Sequence, residues 1–351
     1  MTLSECCMQI QPLDEIAMQA AQQHWNQLAK PLHSLGRLED MIVQLAGIHR
    51  SAQLEQRKKV VLIFCADNGI VEEGITQTGQ EVTATVAENF TKGIATVNSL
   101  AQVCQADVMP IDIGIAGDMT CKGIANRKIA YGTKNFAKEP AMTRTEAEQA
   151  ILTGIQLVRE KQEQGYNLII TGEMGIGNTT TSSAVFSVLS QITPELVTGK
   201  GAGLSKAGIQ RKIQVIQAAI QKYQPNPEDV IDVLSKVGGL DICGMMGAFL
   251  GGAIYRVPVL IDGFISAVAA NCAVRYAPAC KPFLYASHCS AEPAGKLALE
   301  ALQLHAYLEC GMCLGEGTGA VIGAKLFDFA LAAYTEAASF QQAQVTPYQP
   351  L

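Results

Sequence analysis

Residues 59–69 read Lys59-Val-Val-Leu-Ile-Phe-Cys-Ala66-Asp67-Asn68-Gly69, a short apolar run that stops at an Asp-Asn-Gly turn. A run that is apolar on both alternating faces is the pattern of a parallel strand buried on both sides, leaving the sheet into a loop. The same form recurs along the chain. Asp107 to Ile115 ends in Asp112-Ile-Gly-Ile, and Asn167 to Met174 runs into a glycine loop. Val257 to Gly263 and Pro282 to His288 complete the set. Helical patterns lie between the runs. Thr143 with Glu146 forms a capping box opening a helix at Glu146 to Gln162, and Ile209 to Tyr223 is amphipathic and stopped by Pro225 and Pro227. Before the first strand, Leu13 to Ile48 is helical in pattern, broken at Pro31 and Gly36 by a turn between two helices. Strands alternating with helices predict an α/β fold, a parallel sheet with helices on both faces. In such sheets ligands bind outside the carboxyl ends of the strands, so the polar residues after each strand are the ones to read for chemistry.

Composition narrows the partners. The chain has 351 residues, enough to bury a large core without disulfide staples, and 48% hydrophobic against 17% charged residues excludes disorder as the dominant state. Lys and Arg number 26 against 32 Asp and Glu, a net charge of -6 with no dense basic run, so no nucleic-acid partner is expected. The opening MTLSECCMQIQPLDE has Glu5, Asp14 and Glu15 where a signal peptide carries basic and then apolar residues. The longest uncharged apolar stretch, Ile242 to Tyr255, is shorter than the roughly 20 residues that span a bilayer. A soluble, cytoplasmic protein with no membrane partner is expected. Eleven cysteines sit mostly singly in apolar segments and read as reduced structural thiols. The one C-x-x-C, Cys310 to Cys313, has no second pair, so no metal site is expected. The tail from Ala338 to Leu351 reads as peripheral to the core.

Two glycine-rich stretches carry the chemistry. Gly172-Glu-Met-Gly-Ile-Gly-Asn-Thr-Thr-Thr-Ser-Ser183 follows a strand and precedes a helix at Ala184 to Ser190. Glycines let backbone approach an oxyanion, and a helix start favours phosphate. The stretch lacks the Lys of a Walker A loop and does not fit G-x-G-x-x-G, which leaves a phosphate site or a plain strand-to-helix turn with a Thr cap. Leu314-Gly-Glu-Gly-Thr-Gly319 precedes a helix at Ala320 to Ala333, and Glu316 is the only charged side chain from Gly311 to Ala324. A carboxylate among glycines and apolar neighbours suits a general base with raised pKa, or else compensates a helix N-terminus. Ser287-His-Cys-Ser-Ala-Glu-Pro293 lacks a G-x-S-x-G elbow, and His288 alone reads as structural. Lys212, Lys236 and Arg256 individually read as solvated surface, and Asp67 and Asp112 as ligands or strand-end caps.

Taken together, these stretches closely resemble the nicotinate-nucleotide:dimethylbenzimidazole phosphoribosyltransferase family of cobamide (vitamin B12) assembly. The resemblance also rests on Ser34-Leu-Gly-Arg-Leu-Glu39, Ala66-Asp-Asn-Gly-Ile70, Gly199-Lys-Gly-Ala-Gly-Leu204 and Val237-Gly-Gly-Leu-Asp241, in order over nearly the whole chain. It implies a reaction in which a base displaces nicotinate from nicotinate mononucleotide with inversion at C1′, giving an α-ribotide. It implies Glu316 as the group that removes the base's proton and Glu173 as a second carboxylate near the ribose. Gly175, Ile176, Gly177, Asn178, Thr179 and Thr180, with Lys212, Ser290 and Gly315, are implied to grip the phosphate and nucleotide. Thr76, Gln80, Met174 and Leu314 are implied to line the base pocket. No metal or organic cofactor is implied.

The resemblance further implies a Rossmann-like domain at residues 49–319, a small helical domain built from residues 1–48 with about 320–351, and a homodimer. Two stretches depart from the family's usual pattern. The loop Gly74-Ile-Thr-Gln-Thr-Gly-Gln80 is smaller and more polar than the aromatic or proline-bearing loop of many members, and Ala294-Gly295-Lys296 stands where Gly-His is common. Both bear on the base accepted. The alternative is a phenol- or p-cresol-activating paralogue, or one subunit of an enzyme of paired unlike chains.

Overall fold

The computed structural model describes residues 2–201 and 203–348; Met1, Ala202 of the Gly199–Leu204 stretch, and 349–351 of the C-terminal segment lie outside the described residues. Its centre is one six-stranded sheet: β1 (Lys59–Ala66), β2 (Ala106–Gly114), β3 (Ala125–Asn126), β4 (Leu168–Met174), β5 (Val259–Ile261) and β6 (Leu284–Ala286). All neighbours are parallel, in the order β3-β2-β1-β4-β5-β6. This is the doubly wound order, in which the winding reverses between β1 and β4 and opens a crevice at their carboxyl ends. The α/β reading of the sequence holds.

The differences are local. β3 is two residues long and pairs only with Ile111 and Asp112, too short to leave a periodic signal. β6 starts later than the apolar run does, because Pro282 and Phe283 belong to a 3₁₀ turn at Pro278–Phe283. Proline lacks the N–H a ladder needs, so the strand begins after it.

Strand parity sends β1 into both helical layers. Phe64 lies against Gly244 of the helix Leu240–Tyr255, whereas Val61, of opposite parity, lies against Gly317 at the start of the helix Thr318–Glu336. The stretch measured in the sequence against a bilayer is thus the central buried helix, apolar all round because it is covered all round. Among the described residues no helix is long and apolar enough to cross a membrane. That helix meets the helix Arg144–Glu163 backbone to backbone: a Cβ on Gly154 would stand 2.1 Å from Gly244 O, and one on Gly247 2.0 Å from Ile151 O.

The two chain ends meet beside the sheet. Ala29 N donates to Ala338 O at 2.9 Å, His24 Nε2 lies 2.8 Å from Tyr334 O, and Trp25 packs edge-on against the Tyr334 ring. Arg256, expected at the surface, donates to the carbonyls of Ile48 and Gly47 and ties the helix Arg37–His49 to the core.

Gly247→Ala is expected to destabilise the fold by about 1–3 kcal/mol through overpacking. Gly117→Ala, where nothing lies within 4 Å, should stay within about 0.5 kcal/mol of the parent. Urea denaturation of the two variants makes the comparison.

Candidate active site

The site is built at the carboxyl ends of β4, β5 and β6. β4 ends in Glu173-Met174, and the chain turns at Gly175 to enter the helix Asn178–Ser190. Only glycine fits at 175, where a Cβ would stand 2.2 Å from Ala66 O at the end of β1. Gly177 caps the helix at φ 95°, so the stretch is a strand–glycine turn–helix that aims a helix N-terminus at the sheet edge. A cavity of about 300 Å³ opens there, within the size range of small-molecule sites. Its walls come from Glu173–Ile176, Asn178 and Thr179, from Asp262–Ser266 after β5, from His288, Ser290 and Glu292 after β6, and from Cys313–Glu316.

Glu316 reaches this cavity from a loop laid directly on β4. A Cβ on Gly172 would stand 2.7 Å from Glu316 O, and one on Gly315 2.4 Å from Glu173 Oε1. Glu316 itself holds a left-handed φ of 60° between Gly315 and Gly317, which also have positive φ. Its Oε2 is buried without a hydrogen-bond partner. Burial, and then the negative charge of Asp262, push its pKa above the ordinary carboxylate range.

Glu173 is more deeply enclosed. Its Oε2 accepts from Asn178 Nδ2 and its Oε1 from Glu316 N at 3.3 Å. Asn178 Nδ2 also donates to Asp241 Oδ2 at 3.1 Å, so one amide bridges two buried carboxyls. Burial and the neighbouring Asp241 push Glu173 up to about 8, so it carries its proton at neutral pH. Asp241 is likewise pushed up, to about 6, mainly by burial. Glu173, which the resemblance implies as a second carboxylate, thus stands in the cavity wall with burial favouring its protonated form.

Asp262, at the end of β5, accepts from Gly317 N at 3.2 Å and Ala320 N at 2.8 Å, and lies 3.6 Å from His288 Nε2. His288 is buried at the cavity wall with Nδ1 unpartnered, so it is not the satisfied structural histidine expected of an isolated His. Sequence reasoning passed over Asp262 and Asp241. The signal that could have found Asp262 is its place: an Asp-Gly at a strand's carboxyl end, like Asp67-Asn-Gly.

The remaining expected site residues divide. Gly175, Ile176, Asn178 and Thr179 line both the main cavity and a smaller one of about 80 Å³ beside it. Met174, Ser290, Leu314 and Gly315 line the main cavity, with Leu314 55% exposed at its mouth. Gly177, Thr76 and Lys212 line only the smaller cavity. Lys212 is 1% exposed, not solvated, and Nζ donates to Thr179 Oγ1 at 2.8 Å. Burial lowers its pKa to about 8 against the opposing pull of Glu292, which leaves it mostly charged at neutral pH. Thr180 is buried within its helix and lines neither cavity; nor does Gln80, whose Nε2 donates to Asn68 O at 3.1 Å. Lys236 pairs with Asp232 at 2.8 Å away from the site. Asp67 and Asp112 accept from Ala116 N and Ile115 N and act as caps. Cys310 and Cys313 are exposed free thiols.

This constellation has close relatives. A phosphoribosyltransferase family model matches residues 10–345. The chain is 48% identical, over 100% of both sequences, to the nicotinate-nucleotide–dimethylbenzimidazole phosphoribosyltransferase of Ruminiclostridium cellulolyticum. It is 50% identical, over 95% of both, to the protein of the same name from Acetivibrio thermocellus. The crystal structure of CobT from Thermus thermophilus matches it with a TM-score of 0.89 at 36% identity, over 95% of this chain and 100% of that one. A family match over nearly the whole length, on a fold whose glycine loops converge on one acidic cavity, makes this chain a member of the nicotinate-nucleotide–dimethylbenzimidazole phosphoribosyltransferase family.

Proposed function

We propose that this phosphoribosyltransferase moves the ribose-5-phosphate of nicotinate mononucleotide onto 5,6-dimethylbenzimidazole or a similar base, with Glu316 as proton acceptor. The base nitrogen's lone pair forms the new bond at C1′ on the face opposite nicotinate. The old C1′–N bond breaks, and its electrons return to the pyridine ring. The ribosylated base is then cationic until its remaining N–H loses a proton, and Glu316 takes that proton. The observation that carries this reading is the Glu316 carboxyl itself: in the cavity wall, with a buried unpartnered oxygen and a raised proton affinity.

The apolar walls Met174, Ile176, Phe264 and Leu314 suit a flat aromatic base. The relatives' names support dimethylbenzimidazole over a phenol. For the phosphate, the turn Gly175–Thr179 with Lys212 behind it supplies N–H groups and one buried cation, which suits an acidic protein that must hold a phosphate monoester. Glu173, neutral, sits between Asn178 and the Glu316 backbone and keeps the two loops in register. The same reading takes the chain as a cytoplasmic homodimer. Its eleven unpaired thiols support the compartment, and exposed Phe329, on the helix that follows the Glu316 loop, supports the dimer. The division into residues 49–319 and a helical unit of both chain ends is part of the reading, supported by the Ala29–Ala338 and His24–Tyr334 contacts.

Three outcomes test it. Glu316→Gln should lower kcat for nicotinate release by about 10²–10⁴-fold with a smaller change in KM; wild-type turnover would sink the assignment. Lys212→Met should raise KM for nicotinate mononucleotide about 10–100-fold, the worth of a hydrogen bond to a charged group. That penalty should vanish with nicotinate riboside, which has no phosphate. Glu173→Gln should gain stability relative to the parent as pH rises from 4.5 to about 8. In the parent the folded state keeps a proton that the unfolded chain has lost over that window, so folding weakens with rising pH. Chemical denaturation at pH 5 and pH 8 reads the difference, and an equal difference at both would refute the neutral acid.

A further inference from the structure

The helix Thr318–Glu336 has no side chain of its own to cap it. Its N-cap is Gly317, held at φ 85° with Val61 Cγ1 2.9 Å and Thr171 O 3.1 Å from where a Cβ would stand. No Ser, Thr or Asp fits there, so the free N–H groups of the first turn must be met from elsewhere in the fold. Asp262, just past the end of β5, meets Ala320 N in that turn and also accepts from Gly317 N at the cap. Asp262 is itself held: Ser266 Oγ receives its N–H at 3.1 Å, lies 2.7 Å from Thr171 Oγ1, and Thr171 Oγ1 donates to Leu260 O at 2.8 Å.

We infer that Asp262 is a positioning residue for the transfer, clamping the left-handed Glu316–Gly317 turn from a neighbouring strand and standing its negative charge beside the Glu316 carboxyl. The inference rests on Glu316 being the proton acceptor. A bond to the Gly317 N–H, on the peptide that follows Glu316, with a second to Ala320 N in the first turn of the helix, fixes where the carboxyl points, and a misplacement near 1 Å at a reacting group costs about 10²-fold in rate. The charge acts in a wall where, among the described residues, the group able to become a cation is His288, 3.6 Å from Asp262. The titratable groups in the cavity wall are Glu173, Asp262, His288, Glu292, Cys313 and Glu316, with no Lys or Arg among them. Glu173 meets Glu316 through the Glu316 N–H and carries its own proton, and His288 Nε2 lies 3.6 Å from Asp262 Oδ1. After burial, the Asp262 charge is what raises the proton affinity of Glu316.

The test is the pH profile of kcat/KM with dimethylbenzimidazole in Asp262→Asn. Asparagine keeps the shape, loses the charge, and offers one acceptor oxygen where the carboxylate has two. The expected result is a roughly 10²-fold fall in kcat together with an acidic limb displaced to lower pH, since removing a like charge lets Glu316 ionise sooner. Titration of the base itself cancels between variant and parent. Asp262→Ser, a smaller neutral cap, makes the same prediction should the asparagine variant fail to accumulate folded. In the Glu316→Gln background the residual rate should show no further displacement of the limb. A lower kcat with an unmoved limb would reduce Asp262 to a helix cap and overturn the inference. A displacement that persists without Glu316 would overturn it as well. Wild-type turnover in Glu316→Gln alone would remove the base assignment and this inference with it, and is read from that single variant.

Discussion

The loop carrying Glu316 lies backbone against backbone on the end of β4, and the site depends on that contact. Gly172, Gly315 and Gly317 form it, and at each a single added carbon would meet Glu316 O, Glu173 Oε1, or Val61 and Thr171. Because nothing intervenes, the Glu316 loop and the strand that ends in Glu173 cannot shift independently. The hydrogen bond from Glu316 N to Glu173 Oε1 then ties the backbone of one glutamate to the carboxyl of another 143 residues away in the chain. The same closeness excludes water from the backs of both groups and gives them their raised proton affinity.

Electrostatics divides the site into two halves. Around the Glu316 loop gather Glu173, Asp241 and Asp262, with Asn178 bridging two of them. This half suits a group that must accept a proton near neutral pH. On the other side of the turn Gly175–Thr179, Lys212 supplies a buried cation beside Thr179, with Glu292 as its electrostatic partner. One strand-to-helix turn thus separates a carboxyl-lined wall from one that holds a buried lysine. A net charge of -6 is compatible with a phosphorylated substrate because the cation is local and buried.

Much of the frame was legible in the sequence. The apolar runs at Lys59, Asp107 and Asn167 became β1, β2 and β4 because strands buried on both faces leave an uninterrupted signature. β3 was not legible, since two residues carry no period, and Pro282 was read into a strand when it closes a 3₁₀ turn. The glycine stretches around Glu173 and Glu316 were legible because glycine density beside a lone carboxylate is a local pattern. Lys212 was not, on its own residues: nothing in an amphipathic helix distinguishes a lysine on the solvent side from one folded under a neighbouring loop.

By itself the sequence determined the α/β frame and its long strands, the two glycine loops and the lone Glu316 carboxylate, all of them written in contiguous residues, whereas Glu173 was singled out only through the family resemblance. Only the tertiary structure decided that Glu173 is neutral, that His288 keeps an unpartnered nitrogen at the cavity wall, and that Asp262 reaches from β5 to cap another segment's helix. Charge state and capping depend on what stands within a few ångströms, and here those neighbours come from strands more than 50 residues apart in the chain. A side chain's type is set by the sequence, but its proton and its partner are set by the packing around it.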